Sequence, residues 1–296
     1  MQLSGEGEHL SVAPGNPKTA LLVSGEALES LDVIFPVLHG PMGEDGTVQG
    51  LLKLTGIPFV GSDVLGSAIG MDKDVMKRLL RDADLPLLPW LTLNRRQGFG
   101  WNSKKILADL GPKVFIKPAN MGSSIGVNSA SEVEELDKAI KEAFLFDHKV
   151  IIEKGEKVRE IEVAILDGDP PQTSVPGEII PKREFYSYHA KYVDENGAEL
   201  VNPANLERDQ VIEVQELALK TFTTLGAAGL ARVDFFLTDK GKFWVNEINT
   251  MPGFTKISMY PSLWKTSGIE YTDLIEKLIH LAIKRAQQDK LLRSDC

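Results

Sequence analysis

Residues 229–253, G-L-A-R-V-D-F-F-L-T-D-K-G-K-F-W-V-N-E-I-N-T-M-P-G, constrain this chain more than any other stretch. Two apolar, β-rich runs flank Lys240 and Gly241, and a two-residue turn with glycine second is a common tight hairpin connection. Such a turn pairs Asp239 with Lys242, Asp234 with Glu247 and Arg232 with Asn249. The strand period of two then puts Arg232, Asp234, Glu247 and Asn249 on one face. Neighbouring carboxylates repel unless they share a cation, and carboxylate and amide oxygens suit Mg²⁺. The same register places Phe236, Phe243 and Val245 on the polar face and Val233, Phe235, Leu237, Trp244 and Ile248 on the other. A sheet covered on both sides leaves its carboxylates in need of a partner, which argues against the plainer alternative of a solvated surface hairpin. A three-residue loop would carry Glu247 to the opposite face and remove the argument.

Composition bounds what such a site can belong to. With 296 residues, 43% hydrophobic and 25% charged, the chain can bury large cores and divide into two or three lobes. A formal net charge of -9 disfavours a general role on nucleic acid or anionic membrane, while leaving room for a local basic cleft. The sole cysteine, Cys296, excludes an intramolecular disulfide and a thiolate metal site within these residues, so a cytoplasmic location is the simple expectation. No apolar run approaches a membrane span, and the opening M-Q-L-S-G-E-G-E-H-L lacks the basic start and apolar stretch of a signal peptide.

Along the chain, the sequence before Leu31 is loop-like, and 31–38 is a continuous apolar run of the kind found in buried parallel strands. It ends in H-G-P-M-G-E-D-G, residues 39–46, a loop that either carries ligand groups or is a plain turn. A short helix is expected over 48–54, a strand over 57–60, and a helix over 71–81 capped by Asp72, with Val75, Met76, Leu79 and Leu80 as its apolar stripe. Residues 84–104 read as a connection between lobes holding one short strand at 90–93. The strand 113–117 runs into K-P-A-N-M-G-S-S-I-G, whose small residues can bring backbone N–H groups to phosphate oxygens. It is not a Walker A loop, and taken singly such a loop is more often a hairpin connection than an anion site. Lys117, leaving a buried strand at such a loop, favours the anion site. A helix over 132–144 and strands over 150–153 and 160–166 follow, with Glu153 and Glu160 either accepting from an amine or a ribose, or solvated. Residues 179–197 are long, polar and aromatic, as in a lid. Helices are expected over 208–225 and from Asp273, the latter opened by a capping box with Glu276.

In order, H-G-x-x-G-E-D-G, M-D-K at 71–73, K-P-A-N-M-G-S-S-I-G, E-K with R-E-I-E-V, A-K-Y, R-V-D and N-E-I-N-T-M-P-G-F-T resemble the D-alanine:D-alanine ligases of the ATP-grasp superfamily. The resemblance runs from about Leu31 to the last helix. It implies an α/β fold built of α+β lobes, with a nucleotide between a central lobe (62–153) and a C-terminal catalytic lobe (154–296), and a partial Rossmann-like lobe over 1–61. It implies that Lys73 and Lys117 contact ATP phosphates, that Glu153 and the Lys154 backbone hold the adenine, and that Glu160 holds the ribose. Asp234, Glu247 and Asn249 match magnesium (or manganese) ligands, and Arg232 matches the arginine that steadies the acyl phosphate. Ser123 and Tyr192 match residues that position the first D-alanine, with Lys191 beside them on the lid. Ser258 and the Met259 backbone match the capture of the second substrate's carboxylate, and His39 and Glu44 border the first. Implied partners are D-alanine and ATP, with no nucleic acid or membrane and with a second copy in a homodimer.

The family opens with a strand, a glycine-rich turn and a helix bearing a glutamate for the first substrate's amino group. Nothing equivalent precedes Leu31, and S-G-E-G-E is too polar. The expectation is a chain that starts inside its first lobe, which leaves an impaired nucleotide-binding fragment as one alternative. A ligase forming D-alanyl esters is another, against which Tyr192 speaks.

Overall fold

The computed structural model describes residues 10–12, 21–23, 26–27, 31–98, 100–181, 198–255 and 257–292. Strands β1 (Leu10–Val12), β2 (Leu21–Val23) and β3 (Glu26–Ala27) form an antiparallel sheet where a loop is expected. Strands of two or three residues show too few positions for a period of two to be visible. The opposite correction applies to 31–38 and 57–60, which meet only at one parallel bridge, Ile34 with Phe59. Pro36 has no N–H to extend a ladder, and Leu31, Val37 and Leu38 are exposed.

Helix α1 (Thr47–Thr55) lies where expected, and two helices follow it, α2 (Val64–Met71) and α3 (Lys73–Asp82). Asp72 separates them and caps α3, its carboxylate accepting from the N–H groups of Asp74 and Val75 at 3.1 Å each. The expected stripe on α3 is half right. Met76 and Leu80 are fully buried, whereas Val75 and Leu79 are over a third exposed. The buried face instead runs through Lys73, Met76, Lys77 and Leu80, a helical spacing that includes two lysines. Burial of Met76 and Leu80 contributes roughly 1.5–3 kcal/mol each and fixes the helix between two sheets.

The first of these sheets has the order β4-β7-β5-β6, from β4 (Trp90–Asn94), β5 (Val114–Pro118), β6 (Asn128–Ala130) and β7 (Lys149–Lys154). Helices α4 (Ser103–Leu110) and α5 (Val133–Ala143) cover one face through Ile106, Leu136 and Ile140. Helix α4 falls partly in the stretch read as a connection. Its signals are local: Asn102 accepts from Lys105 N–H at 3.0 Å, and Ile106 and Leu110 stand four apart.

The second sheet has the order β11-β10-β8-β12-β13, with β9 beside β8. Its strands are β8 (Val158–Leu166), β9 (Gln172–Thr173), β10 (Gly177–Pro181), β11 (Ala198–Val201), β12 (Leu230–Thr238) and β13 (Phe243–Asn249). Helix α6 (Arg208–Thr224) and α3 pack on one face against Val233 and Phe235. Helices α7 (Met259–Thr266) and α8 (Tyr271–Asp289) cover the other end through Tyr260, Trp264 and Leu274. Helix α8 starts two residues before Asp273, with Glu270 at its N-cap, so the expected Asp273–Glu276 box does not form. Asp273 stays in the first turn, where its charge suits the helix dipole. The capping box occurs on α6, between Glu207 and Gln210. Residues 179–181 belong to β10, and 182–197, with Lys191 and Tyr192, lie outside the described residues.

The β12–β13 hairpin departs from expectation twice. Gly241 N–H donates to Thr238 O at 2.9 Å and Thr238 N–H to Lys242 O at 3.1 Å, so the loop is Asp239, Lys240 and Gly241. Gly241, at φ 75°, takes the left-handed position such a loop requires. Leu237 therefore pairs with Phe243 and Phe235 with Val245, and a bulge at Asn246 then restores the pairs Asp234–Glu247 and Arg232–Asn249. The extra loop residue and the bulge cancel. Between them the faces are exchanged: Phe243 and Val245 join the core with Val233 and Phe235, and Trp244 lies on the side of Phe236.

Candidate active site

The cleft between the two sheets has a floor built on β7. Glu153 is flanked by Trp90 on β4 and Phe115 on β5, and strand alternation turns it away from the apolar face formed by Val150 and Ile152. Its side chain is 3% exposed, with Oε2 2.7 Å from Lys117 Nζ and Oε1 2.5 Å from Lys77 Nζ. Burial pushes the Glu153 carboxyl up, but Lys117 and Lys77 outweigh it and hold the group at about 2. Glu153 is thus an ion-paired floor residue and not a solvated charge. Burial likewise lowers the Lys117 ammonium, and Glu153 more than compensates, raising it above its ordinary value.

The 117–126 loop is both things the sequence allows. It is the connection of the β5–β6 hairpin, and Met121, Gly122, Ser123 and Ser124 line the cleft. Ile125 N–H donates to Gly122 O at 3.1 Å across a turn in which Ser123 (φ 55°) and Ser124 (φ 59°) are both left-handed. That conformation costs a non-glycine residue about 1–2 kcal/mol, a strain that persists where surroundings hold it. Here Asn120 N–H and Nδ2 donate to Asp147 Oδ2 at 2.7 and 2.9 Å, and Lys73 Nζ donates to Met121 O at 3.0 Å.

The facing wall is a row across three adjacent strands: Glu162 on β8 pairs with Asp234 on β12, and Asp234 with Glu247 on β13. Arg232, one step along, bonds both Asp234 oxygens at 2.7 Å, and its Nε lies 3.1 Å from Glu162 Oε2. Burial opposes the guanidinium's charge, yet Asp234 and Glu162 hold it well above its ordinary range. Glu247 Oε2 is 3.1 Å from Lys73 Nζ. With its amide oxygen toward Arg232, Asn249 accepts from Nη2 at 2.9 Å and donates to Glu44 Oε1 at 3.2 Å. Glu44 Oε2 also accepts from Gly40 N–H at 2.5 Å. Burial pushes Glu44 up to about 7, aided by the charge of Glu247 and opposed by the Gly40 N–H, Lys73 and Arg232.

One cleft therefore gathers Lys73, Lys117, Ser123, Glu153, Lys154, Glu160 and Glu247. Arg232, Asp234, Asn249 and Glu44 join it through the wall. His39 does not line the cleft among the described residues; its Nδ1 is 3.1 Å from Met251 O, a contact that the Nδ1–H tautomer would make a hydrogen bond. Ser258 and Met259 do not line the cleft among the described residues. Ser258 Oγ is turned to Thr255, 2.8 Å from its Oγ1, and Met259 is buried in the core, leaving only its backbone to meet a ligand.

The sequence model described as D-ala D-ala ligase C-terminus matches residues 79–280, and the one described as D-ala D-ala ligase N-terminus matches 9–62. This chain belongs to the D-alanine–D-alanine ligase family. It is 50% identical over 296 residues to the D-alanine–D-alanine ligase of Oceanobacillus iheyensis, covering 99% of this chain and 81% of that one. It is 49% identical over 287 residues to D-alanine–D-alanine ligase A of Escherichia coli K12, covering 96% and 79%. Among solved structures, the D-alanine–D-alanine ligase of Coxiella burnetii superposes with a TM-score of 0.85 at 36% identity, covering 96% of this chain and 76% of that one. The VanG D-Ala:D-Ser ligase of Enterococcus faecalis does so at 0.84 and 35%, covering 93% and 79%. The fold is accordingly the α/β ATP-grasp type with N-terminal, central and C-terminal lobes.

The family implies a divalent cation, and the donors here suit one. Asp234, Glu247 and Asn249 offer hard oxygens from adjacent strands on one face. Each is turned onto a cation of the chain, Arg232 or Lys73, and among the described residues no three acidic, histidine or cysteine side chains converge as a ready-made metal cage. The fit is one of chemistry, reached by rotating side chains off these cations. The sequence reading missed three site residues. Lys77 is signalled by its i,i+4 spacing from Lys73 on a buried face, Glu162 by its period-two spacing from Glu160, and Asn246, whose Oδ1 accepts from Lys117 Nζ at 3.4 Å, only by the bulge that carries it.

Proposed function

We propose that this chain joins two D-alanines into D-alanyl-D-alanine for peptidoglycan precursors, at the expense of ATP. The observation that carries the reading is the cleft itself, with lysines on its floor facing a row of carboxylates on its wall. A carboxylate is a poor electrophile, so the γ-phosphoryl of ATP is passed to the first D-alanine, releasing ADP and giving an acyl phosphate, which the second D-alanine's amine attacks with loss of a proton and of inorganic phosphate. Lys73 and Lys117 hold the phosphates, Glu153 and the Lys154 backbone meet the adenine, and Glu160 meets the ribose. Asp234, Glu247 and Asn249 would hold magnesium, which would supply positive charge for the phosphate oxygens. Arg232 stabilises the charge that gathers on the reacting carbonyl, in a preorganised site. Ser123 and Tyr192 position the first D-alanine, with Lys191 as a further contact by family resemblance. Ser258 and the Met259 amide take the second carboxylate, and His39 and Glu44 border the first substrate.

We further read the lobes as 1–61, 62–153 and 154–296, and the protein as a cytoplasmic homodimer. Among the described residues no helix is long and apolar enough to cross a membrane. The deciding experiment is a coupled assay of ADP release with D-alanine, with the dipeptide identified by mass. D-Alanine-dependent ADP release and dipeptide are expected. ATP binding without either product would leave only the nucleotide half of the reading.

A further inference from the structure

Lys77 has no part in the chemistry just described. Its side chain is fully buried and, among the described residues, does not line the cleft. A buried ammonium is costly unless paired, and an apolar side chain of similar size is often tolerated better. Its partner is Glu153, whose other oxygen binds Lys117. A cation for Glu153 is thus already at hand, and Lys77 is a second one.

The surplus has a direction. Of the three side chains Lys117 is the most exposed, at 11%, and it lines the cleft beside Ser123 and Glu247, while Lys77 and Glu153 are 0% and 3% exposed. With Lys117 alone, the pair would be neutral, and the ammonium nearest the ligand would spend its field on Glu153. Burial lowers the Lys77 ammonium, and the contact with Glu153 opposes that; with Lys77 ionised beneath, the three groups would carry one net positive charge, presented at the cleft by Lys117. The geometry is rigid: Met76 and Leu80 anchor the helix that carries Lys77 in the core, and the Trp90 ring centroid lies 5.8 Å from Lys77 Nζ. We propose that Lys77 is a positioning residue that neutralises Glu153 from below, so that Lys117 keeps its fixed seat and a net positive charge for a nucleotide polyphosphate. This rests on the nucleotide reading of the cleft.

The test compares ADP with adenosine, which share adenine and ribose and differ in the phosphates. Dissociation constants are measured by titration calorimetry at one magnesium concentration for the wild type, Lys77→Met, and the double variant Lys77→Met with Glu153→Gln. Lys77→Met removes the charge and keeps an unbranched apolar stem. ADP should weaken about tenfold or more while adenosine stays within about twofold. The double variant, again with one net positive charge, should return the ADP-to-adenosine ratio to within about twofold of wild type. Replacing Glu153 weakens any hold it has on the adenine equally for both ligands, so the ratio is blind to it. Equal weakening of both ligands, an unchanged ratio in Lys77→Met, or a double variant that does not recover would each overturn the proposal, leaving Lys77 a structural tie. If Lys77→Met alone does not fold, the double variant decides: a wild-type ratio supports the role and a lowered one overturns it. A wild type that binds adenosine as tightly as ADP would remove the nucleotide reading, and this inference with it.

Discussion

The floor and the wall of the cleft solve opposite electrostatic problems with the same residue types. On the floor, two lysines surround one buried carboxylate, which is held at about 2. On the wall, Glu44, Glu162, Asp234 and Glu247 share Arg232 and Lys73, and Glu44 rises to about 7. The floor has positive charge to offer an anion; the wall has negative charge to offer a cation. Lys73 joins them, bonded to Glu247 on one side and to the Met121 carbonyl on the other. In the proposed reading, a nucleotide phosphate with its divalent cation would sit between two such surfaces, each half meeting the charge it lacks.

The harshest way to break this contrast is to insert one residue between Val245 and Asn246. With the bulge still one residue wide, Asp234 then pairs with Asn246, and Glu247 and Asn249 turn to the core face, so ligation should be abolished and stability should fall by about 3–5 kcal/mol, as for an unpaired buried charge. Urea denaturation checks the stability, and a folded variant retaining turnover would refute the role of the bulge. Glu247→Gln keeps the shape of the wall and removes one charge. Turnover should drop about a hundredfold or more, with stability changed by less than about 1 kcal/mol because the Lys73 pair is partly exposed. Parallel loss of stability and activity would point to a structural wall.

Glu44 sharpens the comparison through pH. Its carboxyl lies near 7 in the fold against an ordinary 4.5, so the folded chain keeps a proton that the unfolded chain releases. The associated stability is fully present below about pH 4.5 and is lost as pH rises through 7. In metal-free protein, Glu44→Gln should therefore gain on wild type by about 1–3 kcal/mol between pH 5 and pH 8. Identical pH profiles by urea denaturation would mean that Glu44 is not crowded. The smallest effect is expected for Glu162→Gln. With that partner weakened, Arg232 commits more fully to Asp234, and the magnesium needed for half-maximal activity should rise about threefold to tenfold. An unchanged magnesium requirement would remove Glu162 from the wall's function.

Much of the site was legible because its pieces are local. Strand period aligns Arg232 with Asp234, a hairpin pairs them with Asn249 and Glu247, and a lysine leaving a strand into a small-residue loop marks Lys117. Even so, the register at Glu247 was reached through a two-residue turn and no bulge, and the fold reaches it through a three-residue loop and a bulge at Asn246. An error of one residue in each cancels at the polar end and leaves Phe243, Trp244 and Val245 reversed between. No local pattern separates the two routes, because a bulge arises from how a strand must twist against its neighbours.

By itself, the sequence determined the residue types, their spacing along each element, and hence which side chains share a strand face or a helix turn. Only the tertiary structure decided which faces meet. Lys77 reaches Glu153 across 76 positions, Lys117 reaches Asn246 across 129, and His39 reaches Met251 across 212. The reason is physical: α3 is seated between the sheets by Met76 and Leu80, and that packing, which no short period encodes, carries Lys73 to the wall and Lys77 to the floor.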